Sequence, residues 1–170
     1  MSFEAKIRIF PDPILRKQCQ IVRDFKSPGL KQLNADLEKV MKRQKHGIGI
    51  AAPQIGSILR VALVDVSARD PKAKRLCLIN PVIREFSEET ASREGCMSVP
   101  DYRGDIKRYN RIFVEWQNEN GQKCSKTSEG IEAICIQHEV DHLNGMLFID
   151  HVSSLKRDLI PRKPKGATPR

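Results

Sequence analysis

Leu30, Leu33, Leu37, Val40 and Met41 recur three and four residues apart behind Ser27-Pro28. That spacing predicts an amphipathic helix with Pro28 in its first turn. Basic Lys42, Arg43 and Lys45 suit its C-terminal end, and Gly47 is the expected stop. The pattern then shortens. Arg60 to Val66 reads as a buried strand, and Leu76 to Ile79 as another. Arg111 to Gln117 alternates Ile112, Val114 and Trp116 with Phe113 and Glu115, and Asn120-Gly121 predicts a hairpin turn into a strand ending near Thr127. Ser128 is the expected cap of a second strong helix that runs to about Asn144 and stops at Gly145. A last short helix is expected from Ser153 or Ser154, ended by Pro161.

Two principal helices among scattered strands, without regular strand–helix alternation, point to an α+β fold. The expectation is mostly antiparallel short strands packed around the second helix, with an N-terminal helix and a short C-terminal helix. At 170 residues the chain has the size of one domain. That domain is expected over residues 1–160, followed by a basic, proline-containing tail over 161–170.

Composition narrows the classes. No uninterrupted apolar run exceeds four residues, whereas a bilayer-spanning helix needs about 20, so a membrane span is not expected. Met1 to Phe10 carries Glu4, Lys6 and Arg8 and lacks the apolar core of a secretory signal, which makes the cytoplasm the expected location. The five cysteines are an odd number with no C-x-x-C pair, which argues against a disulfide framework and a four-cysteine zinc site. Net charge is +9, concentrated toward the C-terminus, where Lys156 to Arg170 holds six basic residues against Asp158 alone. This suits either a solvated tail or attraction to an acidic surface such as RNA. Aromatic residues make up only 5% and do not interleave the basic ones, so no dedicated nucleic-acid stacking site is expected.

The most specific string is His138-Glu139-Val140-Asp141-His142, an H-E-x-x-H within the second helical pattern. Residues four apart lie about 6 Å from each other along one helix face, so both imidazoles can hold one metal ion. Glu139 can then move the proton of a water at that ion. Ile131, Ile134 and Cys135 precede His138 on the same face, which suits a metal at the edge of an apolar pocket. A catalytic site normally takes a third protein ligand. The metzincin extension fails because Phe148 stands where its third histidine belongs, and no glutamate follows Glu139. The third ligand is therefore sought upstream. Glu94-Gly95-Cys96-Met97-Ser98 offers Cys96 as a thiolate, with a buried structural cysteine as the alternative. In Gly47-Ile48-Gly49-Ile50-Ala51-Ala52-Pro53-Gln54, the small residues suggest backbone lying close to a ligand or strand, and Gln54 ends the run as an amide donor.

Together the three strings resemble the signatures of peptide deformylases, G-φ-G-φ-A-A-x-Q, E-G-C-x-S and H-E-x-D-H, in that order, over about residues 5–160. The resemblance implies a metal held by Cys96, His138 and His142, with Glu139 as general acid and base. Gln54 and the Met97 backbone N–H would form the oxyanion site, and Asp141 would orient a ligand. It implies Fe²⁺ as the native ion, with Zn²⁺ or another divalent metal able to substitute. The implied activity is hydrolysis of the N-formyl group from the initiator methionine of nascent peptides, with release of formate. Ile48, Ile131, Ile134 and Cys135 would receive the methionine side chain, and Gly49 and Gly95 would border the peptide backbone. Transient ribosome contact is implied too, but the C-terminal helix that many members use for it is cut here by Pro161, and the residue after the cysteine is Met97 where Leu is usual. A zinc endopeptidase and a nucleic-acid-binding module are the rival readings.

Overall fold

The structure is a computed structural model describing residues 5–44 and 47–162. Its elements are helix α1 (Pro28–Arg43), strands β1 (Gly49–Ala51), β2 (Val61–Val64), β3 (Leu76–Cys96), β4 (Val99–Gln117) and β5 (Lys123–Glu129), helix α2 (Gly130–Leu143) and strand β6 (Leu159–Pro161). The sheet runs β1-β2-β3-β4-β5 with every neighbouring pair antiparallel, and β6 adds to β4 at Tyr102 to Gly104. The fold is thus α+β with an antiparallel sheet and two α-helices.

Strand β2 is buried on both faces, which explains the unbroken Val61-Ala62-Leu63-Val64 run. Val61 and Leu63 pack with Leu30, Leu33, Leu37, Val40 and Met41 of α1. Val64 packs on the other face with Ala133, Ile136 and Val140 of α2, joined by Leu78, Ile112 and Val114. The two helices therefore cover opposite faces of the sheet, and α2 touches β1 through β5.

Three sequence expectations need correction. The strands are not all short, because Leu76 to Ile79 and Arg111 to Gln117 are the ends of strands of 21 and 19 residues that form one long hairpin. Their remaining residues are mostly polar and largely exposed, with Arg84 to Glu89 exposed without interruption, so no apolar run announces them. Ser128 does not cap α2; it belongs to β5, and its hydroxyl donates to Glu132 at 2.7 Å while Glu129 occupies the cap position. The short C-terminal helix is absent among the described residues. The Asp158 carboxylate accepts from Ser154 N–H, closing one turn, and the Asp158 carbonyl accepts from Asp105 N–H, drawing the chain into the sheet as β6. Helix α1 ends at Arg43, ahead of Gly47, whereas α2 ends as expected before Gly145, which takes φ of 74°. Lys45 and residues 163–170 of the basic tail lie outside the described residues.

Gly104 lets the hairpin settle on the short helical turn Phe148–His151. A Cβ there would stand 2.8 Å from a ring carbon of the buried Phe148 and 3.2 Å from Val152. Gly104→Val is expected to lower unfolding free energy by about 1–3 kcal/mol through overpacking. Urea denaturation measures this, and an unchanged midpoint contradicts the packing.

Candidate metal centre

Helix α2 places His138 and His142 on successive turns of one face, their ring centroids 4.9 Å apart and nearly edge-on. Cys96 arrives from the sheet. It is the last residue of β3, paired with Val99 across the two-residue turn Met97-Ser98. Its Sγ lies 3.2 Å from His142 Nε2. One donor atom from each of Cys96, His138 and His142 falls within 4.8 Å of the others, the only such cluster of His, Cys, Asp or Glu among the described residues. A thiolate and two imidazoles converging this closely fit one divalent ion.

Backbone and amide groups gather around the sulfur. Ser98 N–H points at Sγ from 3.4 Å. Gln54 sits in a short helical turn after β1 with its Oε1 accepting from Ala51 N–H at 2.9 Å. That bond fixes the amide so that Nε2 faces Sγ at 3.4 Å and Ser98 Oγ at 3.2 Å. Gly49 explains its own identity: a Cβ there would collide with the Glu139 carboxyl and Cys135 Sγ. The glycine lets β1 approach α2 closely enough for the Ile48 carbonyl to accept from the Cys135 thiol at 3.4 Å.

Burial and charge set the protonation states. Burial opposes ionisation of Cys96, but the charge of His142 and hydrogen bonds with His138 and His142 outweigh it and draw the thiol well below its ordinary range. Burial pushes the Glu139 carboxyl up to about 7, against the pull of His138 and His142. Its Oε2, like His142 Nδ1, is buried without a hydrogen-bond partner among the described residues. Cys135 is the opposite case, because burial raises its thiol well above the ordinary value and keeps it neutral.

Beneath the cluster lies a network that sequence reasoning missed. Glu94 Oε2 meets His138 Nδ1 at 2.8 Å, which leaves Nε2 as the nitrogen available on the Cys96 side. Arg108 grips the same carboxylate with Nε at 2.8 Å and Nη2 at 3.0 Å, and reaches Asp141 with Nη1 at 2.6 Å. Asp141 in turn faces His151 Nε2 at 2.8 Å. Burial opposes the charge on Glu94, yet hydrogen bonds from His138 and Arg108 hold its carboxyl down at about 2. Within this network Glu94 is the residue that contacts the His138 imidazole, and Asp141 reaches it through Arg108. A strand reading of Glu94 to Cys96 could have found the first, since alternate residues share a face.

The expected pocket residues are only partly gathered. Ile48, Ile131 and Cys135 meet in one apolar cluster, whereas Ile134 is half-buried and belongs to no core cluster among the described residues. Gly95 lies exposed on the outward face, beside Cys96.

Residues 4–158 match the family model described as polypeptide deformylase. A curated relative, the peptide deformylase of Desulfotalea psychrophila, is 44% identical over 161 residues, 94% of each chain. Among solved structures, the peptide deformylase of Thermotoga maritima superposes with a TM-score of 0.81 at 37% identity, covering 90% of this chain and all of that one. A Met-Ala-Ser-bound class I type b peptide deformylase from Acinetobacter baumannii gives 0.81 at 34% identity, covering 89% and 100%.

Arg108 is only 4% exposed, so removing it takes the guanidinium from the buried Glu94 carboxylate and the half-buried Asp141 carboxylate. Arg108→Met is expected to cost about 3–5 kcal/mol, the usual penalty for breaking a buried ion network from one side. Denaturation of Arg108→Met beside Arg108→Lys checks it; the lysine cannot reproduce the fork and should recover only part of the loss.

Proposed function

The chain belongs to the polypeptide deformylase family and removes the N-formyl group from nascent peptides, and on that premise we propose that Cys96, His138 and His142 hold the metal and Glu139 moves the protons. The observation that carries this reading is the convergence of three metal-ready donors beside a buried carboxyl near neutrality. The ion is Fe²⁺, with Zn²⁺ or another divalent metal able to replace it, because one thiolate and two imidazoles suit both. When bound, it supplies Lewis-acid chemistry, acidifying water and polarising a carbonyl.

The protein's own residues do the rest. Glu139 accepts the proton of the attacking water and delivers it to the leaving amine, work suited to a carboxyl near pH 7. Gln54 Nε2, held toward the cluster by Ala51 N–H, donates to the negative charge that develops on the formyl oxygen. The Met97 N–H is its partner, and one such donor is typically worth about 2.7–4 kcal/mol in the transition state. Glu94 holds His138 through Nδ1, so that Nε2 would be the atom that holds the metal. The methionine side chain enters the apolar region of Ile48, Ile131 and Cys135, bordered by Ile134. The peptide backbone pairs between Ile48-Gly49, at the start of the terminal strand β1, and Gly95 on β3. That the Acinetobacter baumannii relative binds Met-Ala-Ser supports a peptide as the ligand.

No helix among the described residues is long and apolar enough to cross a membrane. A cytoplasmic location and transient contact with the ribosome belong to the same proposal, supported by the substrate class and the net charge of +9.

Glu139→Ala is expected to abolish formate release from formyl-Met-Ala-Ser while the ion stays bound, since a proton carrier is lost and not a ligand; substantial residual turnover contradicts the assignment. Cys96→Ser is expected to lower metal affinity sharply, because a hydroxyl replaces a thiolate. Cys135→Ser should keep the metal. Metal analysis after dialysis distinguishes them, and the reverse pattern overturns the ligand set.

A further inference from the structure

On the outward face of the β3–β4 hairpin, beside Cys96, two guanidinium groups stand together over one glycine. Alternation turns Glu94 and Cys96 inward, where both are buried, and leaves Gly95 facing outward. Gly95 pairs in register with Arg103 on β4, and Arg103 pairs with Ile160 on β6. Arg162 lies two residues beyond Ile160 and so returns to that face, its backbone N–H donating to the Asp101 carbonyl at 2.8 Å. Its guanidinium fills the space where a Cβ on residue 95 would stand, and Arg103 Cγ lies 3.5 Å from the same point. The absence of a side chain at Gly95 is what admits it.

The acids of this face do not neutralise the two charges. Asp105 is gripped by Arg93 through bonds of 2.6 and 2.8 Å. Asp101 stands at the register of Arg162 and makes no ion pair with it among the described residues. Arg103 and Arg162 are both exposed, and within the described residues neither meets a carboxylate. Two neighbouring like charges repel, so an anion between them relieves that repulsion and adds charge-assisted hydrogen bonds of its own.

We propose that Arg162, with Arg103, forms a subsite for a carboxylate side chain, favouring formyl-peptides that carry Asp or Glu directly after the methionine. This rests on the reading that the peptide lies along Gly95. An added strand alternates its side chains, so a methionine directed inward toward Cys135 sends the next residue outward, to the face of the two arginines. Arg162 is a positioning residue, since it meets the substrate away from the reacting atoms.

The test measures kcat/KM of the metal-loaded enzyme on formyl-Met-Glu-Ser, formyl-Met-Ala-Ser and formyl-Met-Lys-Ser, each as the C-terminal amide. The amide removes a terminal carboxylate that could enter the same subsite. The Glu peptide should be favoured over the Ala peptide about fivefold at low salt, less as salt rises. Arg162→Gln should bring that ratio near one, Arg162→Lys should keep most of it, and Arg162→Glu should shift preference to the Lys peptide. Misfolding would depress all three peptides together and leave the ratios unchanged. A wild-type ratio of one, or ratios unmoved by Arg162→Glu, overturns the subsite. Absence of formate from every peptide would instead overturn the functional reading beneath it.

Discussion

The Arg108 guanidinium, buried between Glu94 and Asp141, is the constraint on which the rest of the site depends. Taking Arg108 and Glu94 out of water, with Asp141 half-buried beside them, is expensive, and their mutual attraction offsets this only when the geometry is tight. Here the fork meets both oxygens of Glu94 and one of Asp141, so β3, β4 and α2 are tied at a single point. Because Glu94 also holds His138 Nδ1, the orientation of that imidazole is inherited from the sheet and not from the helix alone. His151 extends the tie to the segment after α2. This network accounts for how three donor atoms drawn from two elements, a cluster that could bind a metal, are held together.

The second requirement is close approach of backbone, and glycine supplies it on both sides of the cluster. At Gly49 the β1 backbone lies against Glu139 and Cys135, which removes water from the carboxyl and raises its pKa. At Gly95 the outward face is left for Arg162 and the inward neighbours are the charged Glu94 and Cys96. Burial opposes the charge on all three acids of the cluster, but the net shift differs because their partners differ. Glu94 and Cys96 face cations and stay charged, while Glu139, with Oε2 unbonded, is kept near neutrality. One dry site thus holds both an anionic thiolate and a carboxyl able to exchange a proton.

Much of this was legible in the sequence. The helical spacing of α1 and α2, the Gly145 stop and the Val61-Ala62-Leu63-Val64 strand rest on apolar periodicity, which reflects packing directly. The convergence of Cys96 with His138 and His142 followed from the three strings and their likeness to a family, since spacing alone cannot bring residue 96 to residue 142. The length of β3 and β4 was hidden because the middle of their hairpin is polar and largely solvated. The last element was misread for a different reason: a single turn capped by Asp158 resembles a helix start until tertiary pairing with β4 draws the chain into a strand. Arg108 gave no local signal at all. Its role exists only once β3 and β4 pair in register and α2 packs against them.

The account stands on one thiolate and two imidazoles sharing a single ion, and X-ray absorption at the edge of the bound metal in the native protein tests that most directly. It should show one sulfur at about 2.3 Å and two imidazole nitrogens at about 2.0–2.1 Å, the distances usual for such ligands. A metal shell without sulfur, or without imidazole, would contradict it.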